Sequence, residues 1–240
     1  MLKDKVAFVS GGTGYIGSEI CRTLYEQGAQ VIFSYDKNQK KADELTAEIE
    51  GASAIQINLR NVNDIHEKID NLYKDVDVID LLVNNAAMSQ IMPLAMLEEQ
   101  DLDLILDINI RGTIFLTKYI LKGMIRNKSG TIINIGSIAG HRMLDVPITY
   151  AVTKAAISGF TYSLASELKR FGIRVNSVVP GLLERGVSNG VPEDLRDDFI
   201  RHCAAGRAGK AREIANVVCF VASDEASYIN GQNIFVDGGI

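Results

Sequence analysis

Short, nearly continuous apolar runs alternate along the chain with longer stretches in which apolar residues return every third or fourth position. Val6–Ser10, Val31–Tyr35, Ala54–Ile57, Val78–Val83, Thr131–Ile135, Arg174–Val179 and Asn233–Val236 are the short runs. Their length and their β-branched content predict strands. Between them, helical spacing runs over Ile16–Gln27, Asn38–Glu50, Val62–Tyr73, two long segments near 98–126 and 149–171, and the segments 193–203 and 211–222. Ile65, Ile69 and Leu72 share one face of the third, and Gly28 closes the first. Strands that are apolar on both faces, each separated from the next by a helix, predict a parallel sheet covered on both sides. The chain carries no internal repeat and no proline-rich linker, so a single α/β domain over residues 1–240 is expected.

Composition narrows the setting. At 240 residues and 47 % hydrophobic content the chain can bury one sizeable core. A net charge of −5 with both signs dispersed disfavours a nucleic-acid partner. No apolar run approaches the roughly eighteen residues a membrane span needs, and the N-terminus has no secretory apolar core. The three cysteines, Cys21, Cys203 and Cys219, show no C-x-x-C spacing, which predicts buried thiols and a cytoplasmic location. His66, His141 and His202 are scattered, so no metal site is expected.

Chemistry enters at the first strand-to-helix junction, Ser10-Gly-Gly-Thr-Gly-Tyr-Ile-Gly17. Gly11 turns the chain off the strand, Gly14 leaves room for a phosphate against the backbone, and Gly17 allows close helix packing. The helix start then offers free N–H groups and a partial positive charge to a pyrophosphate. Such a loop at the first βα turn points to a doubly wound Rossmann fold with a seven-stranded parallel sheet binding a dinucleotide. Its identity stays open between NADP(H) and NAD(H). Asp36, ending the second strand, repels a 2′-phosphate, whereas Lys37 and Lys40 attract one; NADP(H) is slightly preferred.

A second signal is Tyr150-Ala-Val-Thr-Lys154. Residues four apart share a helix face, and a nearby ammonium is expected to draw a phenol's pKa down from ~10 towards neutrality. Alone the pair is a weak signal, since chance occurrences on solvated helices are common. Ser137, however, follows the fifth strand in "NIGSIAG", Asn84-Asn85-Ala86-Ala87 ends the fourth, and Asn109 lies in the next helix within "INIRG".

From Lys5 to Val236-Asp-Gly-Gly239, this combination resembles the classical short-chain dehydrogenase/reductase family, with a texture most similar to its 3-oxoacyl-carrier-protein reductases. The resemblance implies a catalytic tetrad of Asn109, Ser137, Tyr150 and Lys154, in which Tyr150 exchanges the proton and Ser137 holds the carbonyl oxygen. Lys154 then lowers the tyrosine pKa and binds the nicotinamide ribose, and Asn109 positions a relay water. It further implies cofactor contacts from Ser10, Gly11, Thr13, Tyr15, Ile16 and Gly17, from Tyr35, Asn58 and Leu59, from Asn85 and Ala86, and from Pro180, Gly181 and Leu183, besides Tyr150 and Lys154. Residues 182–208 correspond to the family's substrate loop, where Leu182, Leu183 and Val187 suggest a partly apolar substrate. Implied partners are a small-molecule or carrier-bound acyl substrate and further copies of the chain, as a homodimer or homotetramer. Other readings are a dehydrogenase of sugar, polyol or hydroxysteroid alcohols, or a cofactor-binding protein without turnover. Arg126, Lys128, Lys169 and Arg170 are either a docking face for an acidic carrier or ordinary solvated surface.

Four positions depart from the family pattern, the smallest change being Ala87 in place of a glycine. The glycines follow G-x-x-G-x-x-G, so Tyr15 stands where a glycine is usual. Asn58 replaces an aspartate. Arg185, in Pro180-Gly-Leu-Leu-Glu-Arg185, replaces a threonine that usually meets the nicotinamide carboxamide.

Overall fold

The structure is a computed structural model and describes residues 1–240. Seven strands, β1 (Val6–Val9), β2 (Gln30–Tyr35), β3 (Ser53–Gln56), β4 (Leu81–Asn84), β5 (Gly130–Ile135), β6 (Ile173–Pro180) and β7 (Asn233–Val236), form one sheet in the order β3-β2-β1-β4-β5-β6-β7. Every pairing is parallel. The order reverses between β1 and β4, and this switch point opens a crevice at the strands' C-terminal ends.

Alternation along each strand divides the core in two. Ala7 and Val9, Val31 and Phe33, and Leu81 and Val83 point to one face, where α1 (Tyr15–Glu26), α2 (Gln39–Glu48) and α8 (Ala211–Ala222) cover them. Phe8, Ile32 and Leu82 point to the other, beneath α3 (Val62–Leu72), α5 (Thr113–Asn127) and α6 (Ile148–Leu168). Both sets are buried, which is why these strands read as continuous apolar runs. α4 (Glu99–Leu106) and α7 (Glu193–His202) complete the helices.

Two boundaries differ informatively from the sequence expectation. The fourth strand starts at Leu81 rather than Val78, and Asp80 just before it accepts the Val6 N–H on its carboxylate at 2.9 Å. The segment expected as one helix over 98–126 is interrupted by a π turn at Asp107–Gly112. At its end Gly112 packs closely on the β3–α3 connection, where a Cβ would meet the Leu59 carbonyl at 2.6 Å. No helix is long and apolar enough to cross a membrane.

Candidate active site

The C-terminal ends of the central strands open onto one cleft of about 850 Å³. Of the residues expected to hold the cofactor, all except Ser10 line it. Ser10 is buried beneath the loop: its Oγ donates to the Val83 carbonyl at 3.4 Å and accepts the N–H groups of Asn85 and Ala86, each at 3.0 Å. It ties β1 to the end of β4, and its hydroxyl has no hydrogen left for a ligand.

The glycine loop is built for close approach. Gly11 has φ +68°, and a Cβ on it would come within 2.9 Å of Ala86 Cα. A Cβ on Gly17 would lie 2.2 Å from the Gly11 carbonyl oxygen and 2.7 Å from Asn85 Nδ2. Asn85 in turn donates to the Ser10 and Gly11 carbonyls at 2.9 and 3.1 Å. Ser34, a support not anticipated from sequence, accepts the Gly11 N–H on its hydroxyl and the Gly12 N–H on its carbonyl. The N–H groups of Tyr15, Ile16 and Gly17, opening α1, find no acceptor within the protein. Three free donors at a helix start, with no side chain intervening at Gly14, fit a bound phosphate.

At the outer end of the cleft Asp36 is exposed and lines the wall, whereas Lys37 and Lys40 lie outside it and Lys40 pairs with Glu44 at 3.9 Å. Tyr35 directs its hydroxyl to Gln39. Asn58 accepts the Arg60 N–H at 3.0 Å and donates its own N–H to Asp64 at 2.7 Å. Its side-chain oxygen thus already serves its own turn, while its amide hydrogens remain available.

At the inner end, Ser137 leaves β5 half-buried and accepts the Ala139 N–H at 3.2 Å, which directs its own hydrogen elsewhere. Gly140 brings this turn onto α6, since a Cβ there would strike the Ala155 nitrogen at 2.5 Å. Ser137 and Tyr150 both line the cleft here. One helical turn on, Lys154 is only 5 % exposed and donates to the Ile135 carbonyl at 2.8 Å. Burial lowers its pKa to about 8.

Two features of this group were not anticipated. Burial raises the Tyr150 pKa, and the Ser137 hydrogen bond is what opposes the rise. The Lys154 ammonium is turned to Ile135 and stands 5.6 Å from the centre of the Tyr150 ring. Asn109 does not face the cleft at all. At 2 % exposure its Oδ1 accepts the Met88 N–H at 2.9 Å, and its Nδ2 donates to the Met88 carbonyl at 2.9 Å and to Thr153 Oγ1 at 3.0 Å. With both amide hydrogens committed, its side chain ties the β4–α4 connection to α6, one residue from Lys154.

The opposite wall comes from 182–208. Leu195 and Phe199 of α7 line the cleft, whereas Leu183 is 4 % exposed and packed into the core, so it presents backbone rather than an apolar side chain. Ile91, Met143, Leu144 and Val146, none of them anticipated, add the apolar part of the mouth. Their only sequence signal was apolar residues placed in loops. Arg126 and Lys128 end α5, and Lys169 and Arg170 follow α6. All four therefore lie at the strands' N-terminal edge, away from this cleft within one protomer.

A family model described as enoyl-(acyl carrier protein) reductase matches residues 13–240. The chain belongs to the short-chain dehydrogenase/reductase family. It is 35 % identical over 241 residues to the 3-oxoacyl-[acyl-carrier-protein] reductase FabG of Staphylococcus epidermidis, covering 99 % of each chain. Against the FabG of Thermotoga maritima it is 33 % identical over 243 residues, covering 100 % of this chain and 98 % of the relative. Among solved structures it is similar to a gluconate 5-dehydrogenase from Burkholderia cenocepacia in complex with NADP and tartrate. That match has a TM-score of 0.92 and 28 % identity, over 99 % of this chain and 95 % of the other. A short-chain dehydrogenase/reductase of Serratia marcescens matches with a TM-score of 0.92 at 31 % identity, over 99 % and 98 %.

Proposed function

We propose that this protein is an NAD(P)H-dependent reductase that converts the ketone of a 3-oxoacyl thioester, on a carrier protein or coenzyme A, to a secondary alcohol. The observation that carries the ketone is that two hydroxyl side chains, Ser137 and Tyr150, line the same cleft. In a ketone, the oxygen those groups hold is bonded to the carbon that accepts hydride; in an enoyl thioester, two carbons separate oxygen and hydride-accepting carbon from direct attachment. The acyl substrate is supported by the full-length likeness to the reductases named above.

The nicotinamide, when bound, supplies the hydride. Ser137 holds the substrate oxygen by hydrogen bond and stabilises the charge developing there. Tyr150 gives its phenolic proton to the same oxygen. Its raised pKa keeps it protonated at neutral pH, as an acid must be. Lys154, charged below about pH 8, stabilises the phenolate left behind and is the residue placed to meet the nicotinamide ribose. The glycine loop and the free N–H groups of α1 hold the pyrophosphate. Segment 182–208 covers the substrate, with Gly186 (φ +88°) and Gly206 (φ +64°) as its hinges. Association with further copies uses the outer faces of α5 and α6, where Ile114, Ile148, Val152 and Tyr162 are exposed, and the β7 edge.

The test is oxidation of NADPH and of NADH in parallel with acetoacetyl, crotonyl and 5-ketogluconate substrates. Turnover of the acetoacetyl thioester alone is expected. Preference for the crotonyl thioester would replace the ketone by an alkene, and preference for the ketogluconate would move the substrate to a sugar acid.

A further inference from the structure

Three side-chain cations other than histidine line the cleft: Arg60, Lys154 and Arg185. Lys154 is buried on the Ile135 carbonyl. Arg60 faces Asp107 at 3.9 Å. Arg185 alone has neither a carboxylate nor a hydrogen-bond partner within the protein. An exposed guanidinium at the rim of a cleft is usually unremarkable, since such side chains keep their heads in water. Its surroundings here are particular. The next residue, Gly186, adopts φ +88°, and a Cβ on it would lie 3.4 Å from Cβ and Cδ1 of Tyr15. The segment carrying Arg185 therefore rests directly on the first residue of α1, the residue that occupies the unusual place in the glycine loop.

The loop itself lacks charge. From Ser10 to Gly17 it has no basic residue, and its donors, chiefly the free N–H groups of Thr13, Tyr15, Ile16 and Gly17, are neutral. A helix start supplies about half a unit of positive charge, whereas a pyrophosphate diester carries two negative charges. We propose that Arg185 is a ligand of the cofactor pyrophosphate, reaching it from the 182–208 segment, with Tyr15 as the surface on which that segment seats. This rests on the dinucleotide site proposed above. It assigns two of the departures from the family pattern, Tyr15 and Arg185, to one function: the charge missing from the loop comes from the segment opposite it.

The experiment compares wild type, Arg185→Met and Arg185→Lys by calorimetric titration with ADP-ribose and with NADH or NADPH, at low and high salt. ADP-ribose retains the pyrophosphate and lacks nicotinamide. Arg185→Met is expected to weaken ADP-ribose and the dinucleotide alike, by about tenfold or more, with most of the salt dependence lost and partial recovery in Arg185→Lys. Weaker dinucleotide binding with unchanged ADP-ribose would place Arg185 on the nicotinamide and overturn the proposal. Unchanged binding of both, with a raised KM for the carbonyl substrate, would make it a substrate contact and overturn it equally. A wild-type protein that binds none of these ligands would remove the dinucleotide site itself, a failure distinct from the other two.

Discussion

Lys154 is expected to make the protein less stable at neutral pH than a neutral side chain in its place would. Its pKa falls from 10.5 to about 8 on burial. Between those values the unfolded chain holds a proton that the folded chain has released, so the lysine's effect on stability becomes more favourable as pH rises through this window. Below about pH 8 the full cost of burying the ammonium is present, and near 10.5 it has gone. At about 1.4 kcal/mol per pH unit, the interval corresponds to about 3 kcal/mol. The perturbation is Lys154→Met, which keeps the stem and removes the charge. The assay is urea unfolding of wild type and variant at pH 7, 8, 9 and 10.5. Packing differences and the other titrating groups are common to every pH or to both proteins, so the useful quantity is how the stability difference changes with pH. The variant is expected to gain about 3 kcal/mol relative to wild type at pH 7 compared with pH 10.5, while losing turnover. A stability difference that stays constant across the range would refute the reasoning, because the buried ammonium would then be as well satisfied in the fold as in water.

Tyr150→Phe removes the proton donor and is expected to lower turnover by about a hundredfold to ten-thousandfold while cofactor affinity is retained; normal turnover would show that another group supplies the proton. Asp36→Ser should move preference towards NADPH by about tenfold in the ratio of kcat/KM values, since like charges about 5 Å apart repel by about 1–3 kcal/mol between the water and protein-surface limits. An unchanged ratio would mean that Asp36 does not face the ribose. Gly17→Ala forces a methyl group to within 2.2 Å of the Gly11 carbonyl oxygen and should cost about 1–3 kcal/mol of stability together with cofactor affinity, checked by urea unfolding and calorimetry.

The alternation of apolar runs and helical periods was sufficient to specify the architecture, because in a doubly wound sheet each strand buries both faces and each helix buries one. β7 and α8 emerge where the pattern places them, Asn233–Val236 and Ala211–Ala222. The local chemistry was equally legible: a glycine loop before a helix, and Tyr150 and Lys154 one turn apart, are determined by spacing along a single element. What spacing along one element cannot carry is how separate elements face one another. Ser10 was expected at the cofactor and Asn109 to position a relay water; what the fold adds is that both side chains join neighbouring elements, Ser10 beneath the loop and Asn109 across to α6. Lys154 has the spacing to act on Tyr150, but burial and the Ile135 carbonyl decide where its charge goes. The meeting of Gly186 with Tyr15, far apart in the chain, likewise exists only once the sheet has brought the end of β6 beside the end of β1's loop. Sequence determines which groups are available at the strand ends; desolvation and contacts between distant segments determine which of them remain free to act.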